Sequence, residues 1–502
     1  MYVETGCIPS LRNAGPSGYN SKFKKTLNNI SSICIISYLY IVINAMKRLL
    51  FILLIVFPIF TNGQIITTVA GDGTGSNGGN NGPATSAGIG NPTGITFDKK
   101  GNLYIVTTPS FPQVRKVDTA GIITIFAGTG TPGFSGDSGL AVNAELNYPE
   151  YVAVDSKNNV YISEGTNHRI RKVDTMGIIT TFAGNGTPGF SGDSGLAISA
   201  SLFAPWGINF DRNGNLFIAD HANSRIRKID TLGVITTVAG SITSGFSGDS
   251  GLAINAKLKL PSAVVIDSIG NLYIADWGNN RIRKVDTSGI ITTIAGNGLA
   301  MFNGDNILDI NASFSHIYSI ALDDSNNLFL TDNGNARIRK INTLTDTVKT
   351  IVGTGIPGFN GDSILADTAE IYLPEGLAFD LCWNLYISEV QNKRVREVNI
   401  GICVTDTTHT DSTNAVNNIS TNSSINIYPN PINEILHIDN IATGAQYFIS
   451  NILGQALQQG LLSAGTNSID VHTLPPGMYV LAITPYPLER AGLRLVKKIV
   501  KE

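Results

Sequence analysis

The sequence has little cysteine and little charge, and each shortage excludes a class of protein. Its 502 residues contain only four cysteines, at positions 7, 34, 382 and 403. That number excludes a disulfide-dense scaffold, and no CxxC pair is present for zinc or redox chemistry. Charged residues make up 15% of the chain and the formal net charge is −3. We therefore expect no nucleic-acid partner and no general attraction to anionic lipid.

Glycine, by contrast, is abundant, with 53 residues. High glycine and low charge suit many short strands joined by tight turns. The length is sufficient for two or more domains with a buried core.

A basic and then apolar segment lies near the beginning of the chain. Met46, Lys47 and Arg48 precede an apolar run from Leu49 to Phe60, which is too short to span a bilayer comfortably. We predict a signal peptide over residues 46–63, cleaved near Gly63, and no permanent membrane span in the mature chain. Residues 1–45 are interpreted as an extension from a wrongly assigned start codon. The alternative is a double membrane anchor, because residues 30–43 are also apolar.

One block, Arg-Ile-Arg-Lys-Val-Asp or a close relative, recurs along the chain. Its second arginine falls at Arg115, Arg171, Arg227, Arg283, Arg339 and Arg396. The interval between successive arginines is nearly constant, which is typical of a repeat array. Each unit divides into four short strands with turn residues between them, which is the pattern of a propeller blade. The sequence therefore predicts an all-β fold, a six-bladed β-propeller over residues 64–403.

The sixth unit ends without the Ile-Thr-Thr-x-Ala-Gly strand that follows the other units. A strand of that kind stands alone at residues 65–71. Because an unpaired sheet edge invites aggregation, we predict that this N-terminal strand completes the last blade and closes the ring.

The repeat resembles a known family. Residues 271–286 read Asn-Leu-Tyr-Ile-Ala-Asp-Trp-Gly-Asn-Asn-Arg-Ile-Arg-Lys-Val-Asp, which is similar to the NHL repeat. The resemblance implies a six-bladed propeller. It implies little about function, since relatives include RNA binders, extracellular ligand sensors and an amidating lyase.

The C-terminal part has a different composition. Residues 404–424 are rich in Thr, Asp, Ser and Asn and form a predicted linker. Residues 425–502 contain Tyr-Pro-Asn-Pro at 428–431 and alternating apolar runs, which favour a small β-sandwich. This tail resembles the C-terminal sorting domain of the bacterial type IX secretion system. The resemblance implies that residues 425–502 engage that secretion machinery, and that the protein is secreted or lies on the outer surface of a Gram-negative bacterium.

Side chains present in every blade are expected to be structural. They include the aspartates of the a–b turns, Asp98, Asp155, Asp211, Asp267, Asp323 and Asp380. We also expect Arg225 and Arg281 to pair with Asp220 and Asp276. Three loops share Gly-Phe-Ser-Gly-Asp-Ser-Gly, beginning at Gly133, Gly189 and Gly245. In these loops we expect the Phe to lie between blades and the Asp to cap a turn.

Positions that differ between blades indicate a site. One ring precedes strand a: Thr93, Glu150, Trp206, Ser262, Tyr318 and Glu375. A second set lies in the b–c loops: Phe111, His168, His221, Trp277, Asn333 and Lys393. Aromatics beside a few polar groups are typical of a ligand-binding mouth. The predicted ligand-binding residues are Glu150, Trp206, Tyr318, Glu375, His168, His221 and Trp277. The alternative is that these aromatics only pack against neighbouring loops.

We expect a non-catalytic binding scaffold for a glycan, a peptide or a protein, with no catalytic or metal-binding residues. The alternative is a propeller enzyme whose site lies at the top of the central channel. A metal-dependent lyase would need convergent ligands such as His168, His221 and His316, and a lactonase-like hydrolase would need more ligands on strand a than Asn209. A Glu150–Glu375 acid–base pair has no other support.

No cofactor is predicted. Calcium at the Gly-Asp-Ser loops is a lesser alternative, because each loop offers a single carboxylate.

Cys382 and Cys403 are predicted to form a disulfide. They are the two cysteines of the expected mature chain, export would expose them to an oxidising environment, and both lie on one edge of the sixth blade.

Overall fold

A computed structural model describes residues 64–343, 345–400, 426–428, 434–441, 445–451, 456–475, 477–485 and 495–501. The predicted extension and signal peptide (1–63) and the predicted linker (404–424) lie outside the described residues, so their boundaries stay predictions. Residues 64–400 form six antiparallel sheets of five strands each. This architecture confirms the predicted six-bladed β-propeller.

Every blade contains the four expected strands, a to d, from the channel outward. The a strands are Pro92–Phe97, Pro149–Val154, Pro205–Phe210, Ala263–Ile266, Ile320–Leu322 and Pro374–Phe379. The b strands are Leu103–Thr107, Val160–Glu164, Leu216–Asp220, Leu272–Asp276, Leu328–Asp332 and Leu385–Glu389. The c strands are Gln113–Val117, Arg169–Val173, Arg225–Ile229, Arg281–Val285, Arg337–Asn342 and Arg394–Val398. The d strands are Ile122–Ala127, Ile178–Ala183, Val234–Ala239, Ile290–Ala295, Thr347–Val352 and, for the sixth blade, Ile65–Ala70.

The sequence did not predict the fifth strand, which has two residues and covers the outer edge. These outer strands are Gly82–Pro83, Gly139–Leu140, Gly195–Leu196, Gly251–Leu252, Ile307–Leu308 and Ile364–Leu365. Each is followed by a 3-10 turn: Ala84–Ser86, Ala141–Asn143, Ala197–Ser199, Ala253–Asn255, Asp309–Asn311 and Ala366–Thr368. A strand of two residues carries too little side-chain pattern to be found from alternation alone.

The ring closes as predicted. In the sixth blade, Ile66 lies opposite Val398 and Thr68 opposite Arg396. The same N-terminal strand pairs on its other side with the outer strand, where Ile66 faces Ile364. The two ends of the propeller segment are therefore held in one sheet.

The a–b turn aspartates are structural, as expected. The Asp211 carboxylate accepts hydrogen bonds from the backbone N–H groups of Asn213 and Asn215 at 2.9 and 2.8 Å. It also accepts one from the Asn215 side chain at 2.6 Å. This arrangement satisfies the turn from within, which is how an Asx turn works.

The repeated arginine of strand c is the centre of each blade. In blade 3 the Arg227 side chain is fully buried and contacts Asp220 at 3.3 Å and Asp193 at 2.8 Å. The prediction that Arg225 pairs with Asp220 is therefore wrong. Although Arg225 is opposite Asp220 in the strand register, its Nη1 group bonds to the Asn223 carbonyl. In the other charged blades the same ion pairs join Arg171 to Glu164 and Asp137, Arg283 to Asp276 and Asp249, Arg339 to Asp332 and Asp305, and Arg396 to Glu389 and Asp362.

The long d–a loop is attached through this arginine. Phe190 lies beneath the guanidinium groups of Arg225 and Arg227, at 3.8 and 4.8 Å from its ring centroid. It remains 42% exposed, so it covers the arginines and does not lie between blades. The Asp193 carboxylate also accepts a hydrogen bond from Thr237 of strand d at 2.7 Å. One loop thereby holds strands b, c and d together.

Blade 1 has the same buried arginine but no carboxylate for it. Arg115 donates to the side-chain oxygens of Asn77 and Asn80 at 2.9 and 2.7 Å. Two carbonyls, of Gly88 and Gly78, complete its contacts. In this blade strand b ends at Thr107 instead of an acid. Neutral oxygens therefore solvate the guanidinium in place of charged ones.

The C-terminal segment forms two sheets around a core of its own. One sheet contains Asn426–Tyr428, Ile435–Ile441 and Gly465–Asp470, and the other contains Ala456–Leu462, Ala445–Asn451, Gly477–Pro485 and Leu495–Lys501. Buried side chains from both sheets, including Leu436, Ile449 and Leu481, make one cluster. This arrangement confirms the predicted small β-sandwich. Within the described residues, no helix is long and apolar enough to cross a membrane.

The two kinds of arginine should respond differently to removal. Arg227→Met leaves Asp220 buried without its cation, and we expect a loss of about 3–5 kcal/mol of unfolding free energy. Arg115→Met leaves only neutral acceptors, and we expect a loss of about 1–3 kcal/mol. Urea denaturation followed by tryptophan fluorescence measures both. Equal losses would show that the carboxylates do not matter to the buried arginine.

Candidate functional site: the mouth of the central channel

The a strands begin close together around the channel, and small residues make this possible. A Cβ on Gly207 would lie 2.6 Å from the Ser262 carbonyl oxygen, and one on Gly376 would lie 2.3 Å from that of Thr93. Neighbouring blades therefore touch through their backbones at this level. The residue just before each such position, the ring predicted from sequence, lies at the channel mouth.

Tyr151 is the exception among these small residues, and its side chain spans the channel. Its hydroxyl donates a 2.6 Å hydrogen bond to the Tyr318 carbonyl, so the side chain reaches from blade 2 to blade 5 across the channel. Residues from the a strands of all six blades, Tyr151 among them, line a cavity of about 300 Å³. The sequence contained a signal for this residue, since the other five blades have Gly, Gly, Ala, Ser and Gly at the equivalent position.

Blades 3 to 5 supply an aromatic wall. Trp206 stacks on His221 with ring centroids 3.7 Å apart, and it lies nearly parallel to Tyr318 at 5.7 Å. Trp277 meets both edge-on, at 6.4 Å from Trp206 and 6.2 Å from Tyr318. His316, which was not among the predicted ligand-binding residues, lies 5.1 Å from Trp277. Four predicted residues are thus brought into one cluster.

Residues of the b–c loops hold this wall in place. His221 donates from Nδ1 to the Pro261 carbonyl at 3.1 Å, because a carbonyl can only accept. Burial lowers the pKa of His221 to about 4, so the ring is neutral at physiological pH. Asn333 makes the corresponding contact to the Pro374 carbonyl at 3.0 Å. Each side chain fixes the residue that precedes the mouth position of the next blade.

Blades 2 and 6 supply an acidic pair. Glu150 is only 7% exposed and Glu375 is half-buried. Within the described part of the chain, no hydrogen bond or ion pair reaches either carboxylate. Burial, together with the charge of Glu375, raises the pKa of Glu150 well above its usual range. Burial raises the pKa of Glu375 to about 7.

Three tyrosines surround the acidic pair. Burial and the two carboxylates raise the pKa of Tyr318 to about 12 and also raise that of Tyr148. The pKa of Tyr151 is raised as well, first by burial. All three are neutral near pH 7, so among these five side chains only the two carboxylates change charge near neutral pH. Tyr148, which is 42% exposed, was missed from sequence although it is separated from Glu150 by a single residue.

Other predicted residues lie elsewhere on this face. His168 accepts a hydrogen bond from the Ala204 N–H at 3.2 Å and contacts Phe203, so it links blade 2 to blade 3. Lys393 donates to Asn91 and to the Val390 carbonyl. The remaining members of the two sets, Thr93, Ser262 and Phe111, use a hydroxyl or a carbonyl to fix neighbouring loops or strands.

The described residues contain no group of three or more His, Cys, Asp or Glu side chains placed to hold a metal ion. In the Gly-Asp-Ser loops the carboxylate contacts arginine and threonine, as Asp137 does with Arg171 and Thr181. Asn209 on strand a accepts from the backbone N–H of Phe210. The preference for no cofactor and the calcium alternative both stay predictions.

Cys382 is disulfide-bonded. Its predicted partner, Cys403, lies outside the described residues, so the pairing itself stays a prediction.

Comparison with known families agrees with the architecture. Residues 131–189, 186–245 and 242–303 match the family model described as Teneurin NHL domain. Residues 426–502 match the family model described as Secretion system C-terminal sorting domain. These matches confirm NHL repeats within the propeller, over residues 131–303, and a C-terminal sorting domain over residues 426–502. A tail of this kind points to secretion or to the cell surface.

The similar proteins share the propeller but differ widely in length. Teneurin-1 of Mus musculus is 32% identical over 235 residues, which are 41% of this chain and 8% of the teneurin. The Arabidopsis thaliana Protein SUPPRESSOR OF QUENCHING 1, chloroplastic, is 26% identical over 295 residues, 53% of this chain and 27% of that protein. The chain thus spans a small part of these relatives, and their whole-protein activities do not transfer.

Among solved structures, an auxiliary nutrient binding protein from Bacteroides thetaiotaomicron aligns with a TM-score of 0.50 at 17% identity. The alignment covers 67% of this chain and 76% of that one. A second protein from the same organism, described as of unknown function, aligns with a TM-score of 0.50, covering 67% and 75%. At this identity the likeness concerns the fold alone.

The acidic pair should make stability depend on pH in a defined direction. In the unfolded chain a glutamate titrates near 4.3, whereas folded Glu375 holds its proton up to about pH 7. The folded state therefore binds more protons between these values, and stability from this group falls as pH rises through them. We expect Glu375→Gln to match the wild type at pH 4 and to be more stable at pH 8, by on the order of 1 kcal/mol.

Thermal melting at both pH values measures this effect. The other buried carboxylates are common to both proteins, so the difference isolates Glu375. Asp367→Asn, an exposed acid of the same blade, is the matched control and should show no such change. A pH-independent difference for Glu375→Gln would contradict a raised pKa.

Proposed function

We propose that this protein is an exported binding scaffold that holds a ligand at the mouth of its propeller, on the outer surface of a Gram-negative bacterium or released from it. The observation that carries the proposal is the asymmetry of the mouth. Six nearly identical blades carry an aromatic wall on one side and two carboxylates without partners on the other. A propeller with a purely structural role has no need of such an arrangement, whereas a ligand-binding site does.

The kind of ligand remains the one expected from sequence: a glycan, a peptide or a protein. Aromatic rings with half-exposed edges offer apolar area at low entropic cost, and the carboxylates offer orientation. A nutrient-binding propeller with the same fold, described above, makes a binding role reasonable by analogy. The tail supports engagement of the type IX secretion machinery. The propeller enzyme remains the alternative, with the same mouth as its site.

A screen against glycan, peptide and protein arrays tests the proposed site. We expect a ligand whose binding weakens at least about tenfold in Trp206→Ala and Trp277→Ala, because each removes apolar contact area. Trp383→Ala is the matched control, since Trp383 is 40% exposed in the a–b turn at the other end of the blade. Binding that Trp383→Ala weakens as much, or that neither mouth variant changes, would place the ligand elsewhere.

Export is tested by removing residues 425–502. In a bacterium with a type IX system, we expect the full chain at the cell surface or in the medium. We expect the shortened chain to be retained on the inner side of the outer membrane. Circular dichroism of the shortened chain controls for folding of the propeller. Equal export of both chains would contradict the role of the tail.

A further inference from the structure

We infer that the group which enters the mouth is an organic cation, a primary ammonium or guanidinium on an apolar stem. This inference rests on the proposed function and names the chemistry of the same site. Its starting point is Glu150, a carboxylate that is 7% exposed and that no described residue bonds to. Buried carboxylates elsewhere in the propeller have partners. The Glu164 carboxylate, for example, accepts hydrogen bonds from the side chains of Arg171 and Asn167 and from the Asn147 N–H.

The contrast between these two glutamates is chemical. A buried carboxylate without a partner costs several kcal/mol or gives up its charge. The propeller repeatedly pairs buried carboxylates with arginine, yet no described residue bonds to Glu150 or to the half-buried Glu375, which lie on either side of blade 1. A cation from outside supplies the missing partner.

Glu150 belongs to the ring at the mouth, and its carboxylate lies beside the b–c loop of its own blade, where a Cβ on Gly165 would lie 3.7 Å from Oε1. The charge of Glu150 contributes to the raised pKa values of Tyr148, Tyr151 and Tyr318. Glu375 acts on the same three tyrosines. The two carboxylates therefore act on the same three side chains, one of which, Tyr151, spans the channel.

The wall opposite is suited to the same ligand. Indole and phenol faces attract an ammonium or guanidinium group, and the attraction strengthens when the cation is desolvated. Trp206, Trp277 and Tyr318 make up this wall, and His221 behind Trp206 carries no charge to oppose a cation. The apolar part of a lysine or arginine side chain would lie along these rings.

The basic side chains that the structure describes near the two glutamates bond to other groups. On this face Lys393 bonds to Asn91 and Val390. Arg169 and Arg394 bond to the carbonyls of loop residues. Tyr151 lies across the channel below these side chains, and we expect the ligand group to enter from the loop face.

A neutral sugar is the main competing ligand, because it too can stack on tryptophan. It differs in its response to pH. A cation needs ionised carboxylates, whereas hydroxyl groups bond to a protonated acid as well as to an ionised one. Since the pKa of Glu375 is raised to about 7, cation affinity should increase about tenfold between pH 6 and pH 8.

Calorimetric titration of the full mature chain tests the inference with defined probes. They are acetyl-Gly-Lys-Gly-amide, the same tripeptide with arginine, the same with acetyl-lysine, 1,5-diaminopentane and cellopentaose. We expect the lysine or arginine peptide, or the diamine, to bind at least about tenfold more tightly than the acetyl-lysine peptide. Binding by the peptides but not the diamine identifies a polypeptide source, and the reverse identifies a small amine.

Two variants complete the test. Glu375→Gln should weaken cation binding about tenfold at pH 8 and flatten the pH profile of binding. Glu150→Gln should weaken cation binding more than Glu375→Gln does. Asp367→Asn should bind as the wild type does, and melting curves show whether each variant is folded.

Equal binding of the acetyl-lysine peptide, no binding of any cation, or cation binding that both glutamine variants leave unchanged would overturn the inference. Cellopentaose binding that depends on Trp206 and not on pH would overturn it while upholding the proposed function. Binding that is unchanged when Trp206 and Trp277 are replaced by alanine would overturn both the inference and the proposed function.

Discussion

Each blade depends on one fully buried guanidinium that joins four pieces of chain. Arg227 lies on strand c and donates hydrogen bonds to the carboxylates of Asp220, at the end of strand b, and Asp193, in the d–a loop. Asp193 in turn contacts Thr237 on strand d. A buried ion pair of this kind gives orientation more than net stability, and the orientation matters because the same loop runs on to Trp206 at the mouth.

Repetition of that contact leaves the mouth free to vary. The strands, turns and arginine pairs are nearly the same from blade to blade, so the scaffold sets the backbone positions of the ring residues whatever their side chains are. Glu150, Trp206 and Tyr318 occupy equivalent places yet have unrelated chemistry. Function in such a fold resides in what differs between copies.

The acidic pair shows what this freedom costs. Buried Glu150 and half-buried Glu375, to which no described residue bonds, destabilise the empty protein at neutral and higher pH, and their removal should stabilise it. The blades otherwise avoid such a cost: where Arg115 lacks carboxylates, amide oxygens of Asn77 and Asn80 solvate it. A local violation of an otherwise consistent rule is most often found at a functional site.

The sequence by itself determined the propeller, its six blades, the closing strand and the sorting tail, because a period of strands and turns depends on local pattern and repeats six times. It also identified the ring of variable residues. It could not decide which of them meet, since Trp206 and Tyr318 come from different blades and Tyr151 reaches across the channel only once the ring has closed. It assigned Asp220 to Arg225, the residue opposite it in the register, whereas packing of the blade interior directs the buried Arg227 to that carboxylate. Contacts between distant blades and the burial of charge are tertiary properties, and they decided the site.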